Sequence, residues 1–417
     1  MNQLDVTYQK PEQLQSQDSE THQDHGLRIL LILSLLMAFA SISTDLYLPA
    51  MPEMAKALNV SGGTLQFTVT GYLIGFSTGQ LFWGPISDRF GRKLPVAIGL
   101  LLFIIGSAGC ALATDGTQII IWRVVQALGA CANVVLARAM VRDLYQGRKA
   151  AQKMSTLMTI MAIAPLAGPT VGGQILRFGS WQAIFWSLVF IAVVTLISLY
   201  KLPETLPHQR RSPASLKQII KRYGSFFRNS RFLGYTAAGA FFYAGTFAYI
   251  AASPFAYITY YHVSPQFYGL LFAAGIFGMM VTAQVNARLL KRYDTETMML
   301  IGASLSACAG MILVVNTWAN WGGLPWMIFA CLLFVAATGM VLANSVAGAL
   351  NCFPDASGSA SALIGALQYG CAMLGSAAVA AFANGTPLPL GSVLAVCGTG
   401  CLLCAFWVSR TRTWRFD

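Results

Sequence analysis

The chain reads as an all-α membrane protein, with twelve transmembrane helices grouped into two six-helix bundles. Three observations predict this. Hydrophobic residues make up 56% of the 417 and charged residues only 10%, with a mean hydropathy of +0.60, which excludes an ordinary soluble domain. Apolar stretches of eighteen or more residues recur, each long enough to cross ~30 Å of hydrocarbon as a helix. A basic, proline-bearing stretch divides those stretches six and six.

Taken in order, residues 1–27 are a polar, Gln-rich tail. It lacks the basic start, short apolar core and small-residue cleavage site of a secretory signal, so the first span is expected to remain in the mature protein. His22 and His25 share a ligand-like spacing on this tail, but no further ligand clusters with them, and no metal is expected. The first bundle, 28–200, contains spans at 28–50, 64–84, 94–113, 117–138, 153–176 and 181–200. Residues 201–231 form a basic linker with eight bases against the single carboxylate Glu204. Its later part, 215–227, mixes bases with Ile and Phe, as a helix lying on an anionic membrane surface would. The second bundle, 232–410, contains spans at 232–257, 266–287, 298–316, 324–346, 359–383 and 389–409, and 411–417 is a short tail.

The net charge of +12 follows topology rather than nucleic acid. With the amino terminus in the cytoplasm, twenty-four of the twenty-seven Lys and Arg fall on the cytoplasmic side. Lys56 and Arg177 fall outside and Arg123 lies in the membrane, so the positive-inside rule holds without adjustment and both termini are placed in the cytoplasm. Nine cysteines are scattered without CxxC spacing and read as small packing residues, including Cys397, Cys401 and Cys404 on the last span. The partner this charge pattern leads one to expect is membrane lipid, with no nucleic acid, and no cofactor is expected. A faint repeat links the halves: Arg89-Phe90 precedes Gly99 as Arg292-Tyr293 precedes Gly302. Transporters built from repeated halves place their site between them, near mid-membrane.

Among fifteen carboxylates only Asp45 falls inside an apolar run, and among the bases only Arg123 does. An ion in hydrocarbon costs several kcal/mol, about 2.5–3.5 on insertion scales, so it is kept where it has a partner or a task. Asp45 lies eight residues before Glu53 and Arg123 eight after Asp115, which puts both ~12 Å below the same boundary. They can form a structural salt bridge, or share a cavity in which Asp45 exchanges a proton as its surroundings change. Along the same span Arg123, Gln126, Ala130 and Asn133 recur on one face, lining a cavity or bonding to another helix. Gly168, Pro169, Gly172 and Gly173 let the fifth span kink and pack closely. In the second half Tyr243, Phe247, Tyr249, Tyr257 and Tyr369, with Gln284, Asn344 and Gln368, supply aromatic walls with few polar groups. Such walls suit flat apolar or cationic ligands, although each residue has packing as its plainer role.

Gly84 to Leu94, GPISDRFGRKL, combines turn-forming glycines and a proline with Asp88 and three bases. This segment closely resembles the signature loop of the major facilitator superfamily. Ser43 to Pro52 (STDLYLPAMP) is similar to the first-helix motif of its Bcr/CflA group of drug:proton antiporters. Ile121 to Ala130 (IWRVVQALGA) and Ala164 to Gln174 (APLAGPTVGGQ) resemble the fourth-helix motif and the antiporter motif. Ala127 and Ala164 depart from the glycines usual there, and Met37 stands where some related multidrug exporters carry a second acid. The resemblance implies the major facilitator fold and a bacterial inner-membrane, proton-coupled antiporter exporting small amphiphilic compounds. It implies proton coupling through Asp45 and Arg123, and an antiporter helix at Gly168, Pro169, Gly172 and Gly173. It also implies a conformational latch at Gly84, Asp88, Arg89, Gly91 and Arg92. Substrate-binding candidates are Tyr47, Gln126, Asn133, Tyr243, Phe247, Asn344 and Gln368. A carrier of one metabolite, such as a nucleoside, sugar or amino acid, would use the same scheme. An intramembrane enzyme would need paired acids or an HExxH helix, and an ATP-driven pump a GxxxxGK[ST] loop; neither pattern occurs.

Overall fold

A computed structural model describes residues 11–145, 147–207, 209, 211, 223–319 and 321–411. The middle of the basic linker and the first residues of the tail lie outside this set, as do the side chains of His22 and His25. The first bundle comprises α1 (Pro11–Asp45), α2 (Met51–Ala57), α3 (Gly62–Phe90), α4 (Lys93–Leu112), α5 (Gly116–Leu144), α6 (Gly147–Phe178) and α7 (Trp181–Ser198). The second comprises α8 (Ser230–Pro254), α9 (Pro265–Leu289), α10 (Thr295–Ala319), α11 (Gly323–Ala336), α12 (Thr338–Asn351), α13 (Ser357–Ala381) and α14 (Leu388–Arg410).

Short polar signals start these rods where the sequence changes from loop to apolar run. Ser61, Asp115, Asn229 and Ser264 each accept a bond from the backbone N–H three residues on, satisfying a donor left free at a helix start. Pro49 and Pro52 end α1 through a short 3₁₀ turn at Leu48–Ala50, and α2 continues as a stub. Outward-facing side chains are apolar along the rods, among them Leu101, Ile105, Phe190, Phe277, Leu374 and Leu403. A bundle whose exposed flank is this oily is bounded by lipid.

Among the described residues, ten rods are long and apolar enough to cross a membrane by themselves. The helices α3 and α6 are as long, at 29 and 32 residues, but Gly, Thr, Ser and Gln dilute the first and bases open the second. These two lie at the seam, α3 against α5 and α13, α6 against α1 and α9. Helices shielded from lipid can carry small and polar residues that permit close approach.

The tenth span differs from the single rod expected over 324–346. It is interrupted at Ala337, between α11 and α12. The Thr282 hydroxyl of α9 donates to the Ala336 carbonyl at 2.5 Å, and a Cβ on Gly339 would lie 2.4 Å from the Ala283 nitrogen. This neighbour crowds the helix there and takes one of its carbonyls, two causes of local interruption. The paired glycines of the repeat have matching roles. A Cβ on Gly99 would strike Ala132 at 2.5 Å, and one on Gly302 would strike Met340 at 2.8 Å, so each seats the third helix of its half on the fourth.

Contacts between the bundles run from mid-depth to the face opposite the chain ends. Thr70 and Ser376 share a hydroxyl bond at 2.9 Å, and the Ser77 hydroxyl donates to the Ala366 carbonyl at 3.1 Å. Nearer that face, a Cβ on Gly62 would meet the Phe255 ring at 2.9 Å, and Gly173 lies against the Pro265 carbonyl.

Candidate functional site

Between the bundles lies a cavity of about 310 Å³. Asp45 and Thr44 from α1 line it, with Tyr72 and Phe76 from α3 and Met161 and Pro165 from α6. The second bundle contributes Tyr243 and Phe247, Phe272, Met279, Thr338 and Tyr369, among others. The aromatic rings form one wall across the seam: Phe76 to Tyr369 at 4.4 Å between centroids, Tyr369 to Tyr243 at 5.2 Å, and Tyr243 to Phe247 at 5.3 Å. The Tyr243 hydroxyl donates to that of Tyr369 at 3.3 Å. An apolar, aromatic pocket with one carboxylate at its edge suits amphiphilic molecules with a donor or cationic group.

Asp45 and Arg123 are close but form no ion pair within 4.0 Å, so the salt bridge considered from the sequence is not made. The reason is helical geometry. Arg123 Nη1 donates to the Ser43 carbonyl at 2.9 Å, and two residues further along a helix the side chain points roughly 200° around the axis. Asp45, at 4% exposure, therefore faces the cavity, while Arg123, at 0%, is enclosed in the first bundle. Its guanidinium sits between the Tyr47 and Tyr72 rings, 4.3 and 4.5 Å from their centroids. Nη1 also donates to Gln126 Oε1 at 2.5 Å, and Gln126 Nε2 donates to Ser107 Oγ at 2.7 Å. The other two nitrogens, Nε and Nη2, make no hydrogen bond, which leaves the ring faces as their compensation.

The candidate binding residues divide. Tyr243 and Phe247 line the cavity. Tyr47 is fully buried against Arg123 and Phe185, with its hydroxyl bonded to Thr68 at 3.0 Å. Gln126 belongs to the arginine's network. Asn133 faces Gly99 of α4, and both of its amide atoms are buried without partners. Asn344 Nδ2 donates to Asn286 Oδ1 at 2.8 Å, tying α12 to α9, and Gln368 packs over Gly239 of α8. Gln284 is exposed on α9, and Tyr249 and Tyr257 are buried against Phe272 and Tyr268. Sequence reading did not single out Tyr72, Phe76, Met161 or Phe272. The signal for the first two was an aromatic pair four residues apart in a span otherwise rich in glycine and threonine.

The glycines of α6 make close contact with the acid's helix. A Cβ on Gly168 would come 3.0 Å from Asp45 Cβ, and one on Gly172 only 1.8 Å from the Leu46 carbonyl. On the other flank Gly269 of α9 lies against Pro169 and Thr170. One stretch of α6 thus touches both bundles.

The signature loop is held from the linker. Gly91 turns the chain at φ +89°, Arg92 donates to Asp88 at 2.6 Å and to Asp143 at 2.8 Å, and Arg89 sits over Phe90. Asp88 thus meets a guanidinium. The backbone N–H groups of Arg92 and Lys93, at the start of α4, donate to Glu204, at 2.8 and 3.1 Å. Burial would raise the Glu204 carboxyl, but the N–H bonds from Arg92, Leu206 and Lys93 and the Arg211 charge outweigh it and hold the group below its usual range. A depressed pKa contributes stability above the unfolded value, about 4.3, and loses it as pH falls through the folded one. Glu204→Gln is therefore expected to lower the melting temperature at pH 7, with the gap to wild type closing as pH falls below about 4. A gap unchanged by acid would show that the carboxylate charge is not what pins the loop.

Among the described residues, ten rods apolar enough to cross a membrane, two equally long rods at the seam and a cavity between the bundles make up this architecture. The family model described as Major Facilitator Superfamily matches residues 33–376, and the chain belongs to that superfamily. It is 33% identical to an uncharacterized MFS-type transporter, YdgK, of Bacillus subtilis, covering 93% of this chain and 96% of that one. It is 31% identical to a bicyclomycin resistance protein homolog of Haemophilus influenzae, over 88% and 92% of the two chains. Multidrug resistance protein D of Escherichia coli is 29% identical over 91% and 95%. Among solved structures, a D-xylose-proton symporter superposes with a TM-score of 0.73 at 18% identity, covering 94% of this chain and 98% of that one, a likeness of fold.

Proposed function

We propose that the protein is a proton-coupled exporter of small amphiphilic compounds, a drug:proton antiporter working as a monomer by alternating access. We place it in a bacterial inner membrane with both chain ends in the cytoplasm. In this reading residues 28–200 and 232–410 are the two rocking units, joined by the linker 201–231 and flanked by the tails 1–27 and 411–417.

The observation that carries the reading is Asp45: a carboxylate at the edge of the aromatic cavity, free of an ion pair, beside an arginine held by other groups. A carboxylate neutralised by a salt bridge would have no reason to take up a proton. Here Arg123 lies near the acid without bonding to it, which leaves the carboxylate free to take a proton when the cavity is wetted. In the cycle, substrate enters the cavity from the cytoplasm while the contacts at Gly62–Phe255 and Gly173–Pro265 close the outer face. Outward opening wets Asp45, a proton binds, and the substrate leaves. Return to the inward state releases the proton. The relatives named for bicyclomycin and multidrug resistance support export of foreign amphiphiles rather than uptake of a nutrient.

Purified protein in proteoliposomes with an imposed pH gradient tests this. Uphill movement of chloramphenicol or ethidium that stops on adding an uncoupler is expected. Passive conductance, or uphill movement indifferent to the gradient, would overturn it.

A further inference from the structure

One cation of the first bundle has no role in the scheme above. Arg138 lies on α5, fifteen residues beyond Arg123 toward the chain-end side. It forms no ion pair among the described residues, and its Nε is buried without a hydrogen-bond partner. Among the described residues its guanidinium makes one weak hydrogen bond, Nη2 to the sulfur of Met161 at 4.0 Å. Met161 lines the cavity. An arginine serving only to anchor a helix end would extend its guanidinium into water among headgroups. This one is half-buried, with its Nε enclosed and unpaired and its Nη2 against a methionine of the cavity wall.

Along α6, Met161 marks the level of Arg138 and Gly168 the level of Asp45. Seven residues of helix separate those levels by about 10 Å. Tyr72, Phe76, Tyr243, Phe247 and Tyr369 line the same cavity as Met161 and Asp45.

We propose that the cavity is bipolar, with Arg138 as a binding residue for an anionic or strong acceptor group, so that its ligands include planar aromatic carboxylates. Such a ligand stacks on the tyrosine and phenylalanine rings and places its carboxylate on the guanidinium, whose planar fork matches a carboxylate in two parallel bonds. A donor or cationic group at the other end of the molecule faces Asp45. Lipophilic cations without an acceptor use only the Asp45 end. This rests on the exporter reading for its biological use, but not for the binding itself.

Binding to the purified, detergent-solubilised chain tests it by equilibrium dialysis with two probes, nalidixate and tetraphenylphosphonium. Arg138→Gln is expected to weaken nalidixate at least tenfold and leave tetraphenylphosphonium within twofold, which also reports that the variant is folded. Arg138→Lys should keep most of the nalidixate affinity. On the wild-type chain, the neutral methyl ester of nalidixate should bind at least tenfold more weakly than the acid, a comparison that needs no variant. Nalidixate binding unchanged by Arg138→Gln, equal binding of acid and ester, or no nalidixate binding at all would overturn the proposal. Nalidixate bound through Arg138 but never driven uphill by protons would instead sink the exporter reading and leave the bipolar cavity standing.

Discussion

Asp45→Asn is expected to abolish uphill export while leaving the protein inserted and folded. The amide is nearly isosteric, so the contact with Gly168 and the packing of α1 survive. It cannot exchange a proton in the physiological range. One proton entering across 100 mV supplies about 2.3 kcal/mol, enough to sustain roughly a 50-fold gradient of a neutral substrate. The variant should bring that ratio to unity, with downhill exchange of substrate retained. The measurement is the steady-state accumulation ratio in inside-out vesicles, beside the amount of protein in the membrane. A variant that still concentrates substrate severalfold would remove Asp45 from the coupling.

Gly172→Ala is expected to be nearly as damaging, through packing alone. The added methyl would lie 1.8 Å from the Leu46 carbonyl, part of the backbone at the acid's own helix end, so no side chain can rotate away. The helices α1 and α6 must part by more than an ångström, at a cost of roughly 1–3 kcal/mol or more. A lower melting temperature and at least a tenfold slower transport rate should follow. Gly84→Ala is the contrasting case: nothing lies within 4 Å of the position, so the same substitution there should leave the melting temperature unchanged or slightly raised. Equal melting of the two variants would refute the packing argument.

The helices were legible because hydrocarbon imposes one rule on every span, and mean hydropathy reads that rule directly. The two rods that fail an apolarity test, α3 and α6, fail it because they are sheltered at the seam, which composition alone does not show. Asp45 and Arg123 were legible for the same reason in reverse: a charge where charge is expensive stands out. Their relation was not. Depth along a helix can be counted from a sequence, and it put both at one level. Direction around the axis decides whether they pair, and it turned Asp45 toward the cavity and left the Ser43 carbonyl for the arginine. The polar residues chosen as ligands show the same limit. Gln126, Asn133, Asn344 and Gln368 sit in spans where water is scarce, and none of them lines the cavity: Gln126 and Asn344 are taken by hydrogen bonds to neighbouring helices, and Gln368 packs over Gly239 with its Nε2 unpaired. Asn133, buried with both amide atoms unpaired, has no such account. Arg138 went unread because its charge sits at a span end, where topology alone explains a base.

In the proposed cycle, the stretch of α6 from Gly168 to Gly173 works as a clutch plate between the two halves. One flank rests on Asp45 and Leu46 and the other on Pro265 and Gly269, with glycines setting the close approach on each side. Any tilt of one half against the other must therefore reshape the compartment around the acid, and any swelling of that compartment must push on the opposite half. A machine geared this directly has little room to idle, turning over without cargo or letting protons slip past unharnessed.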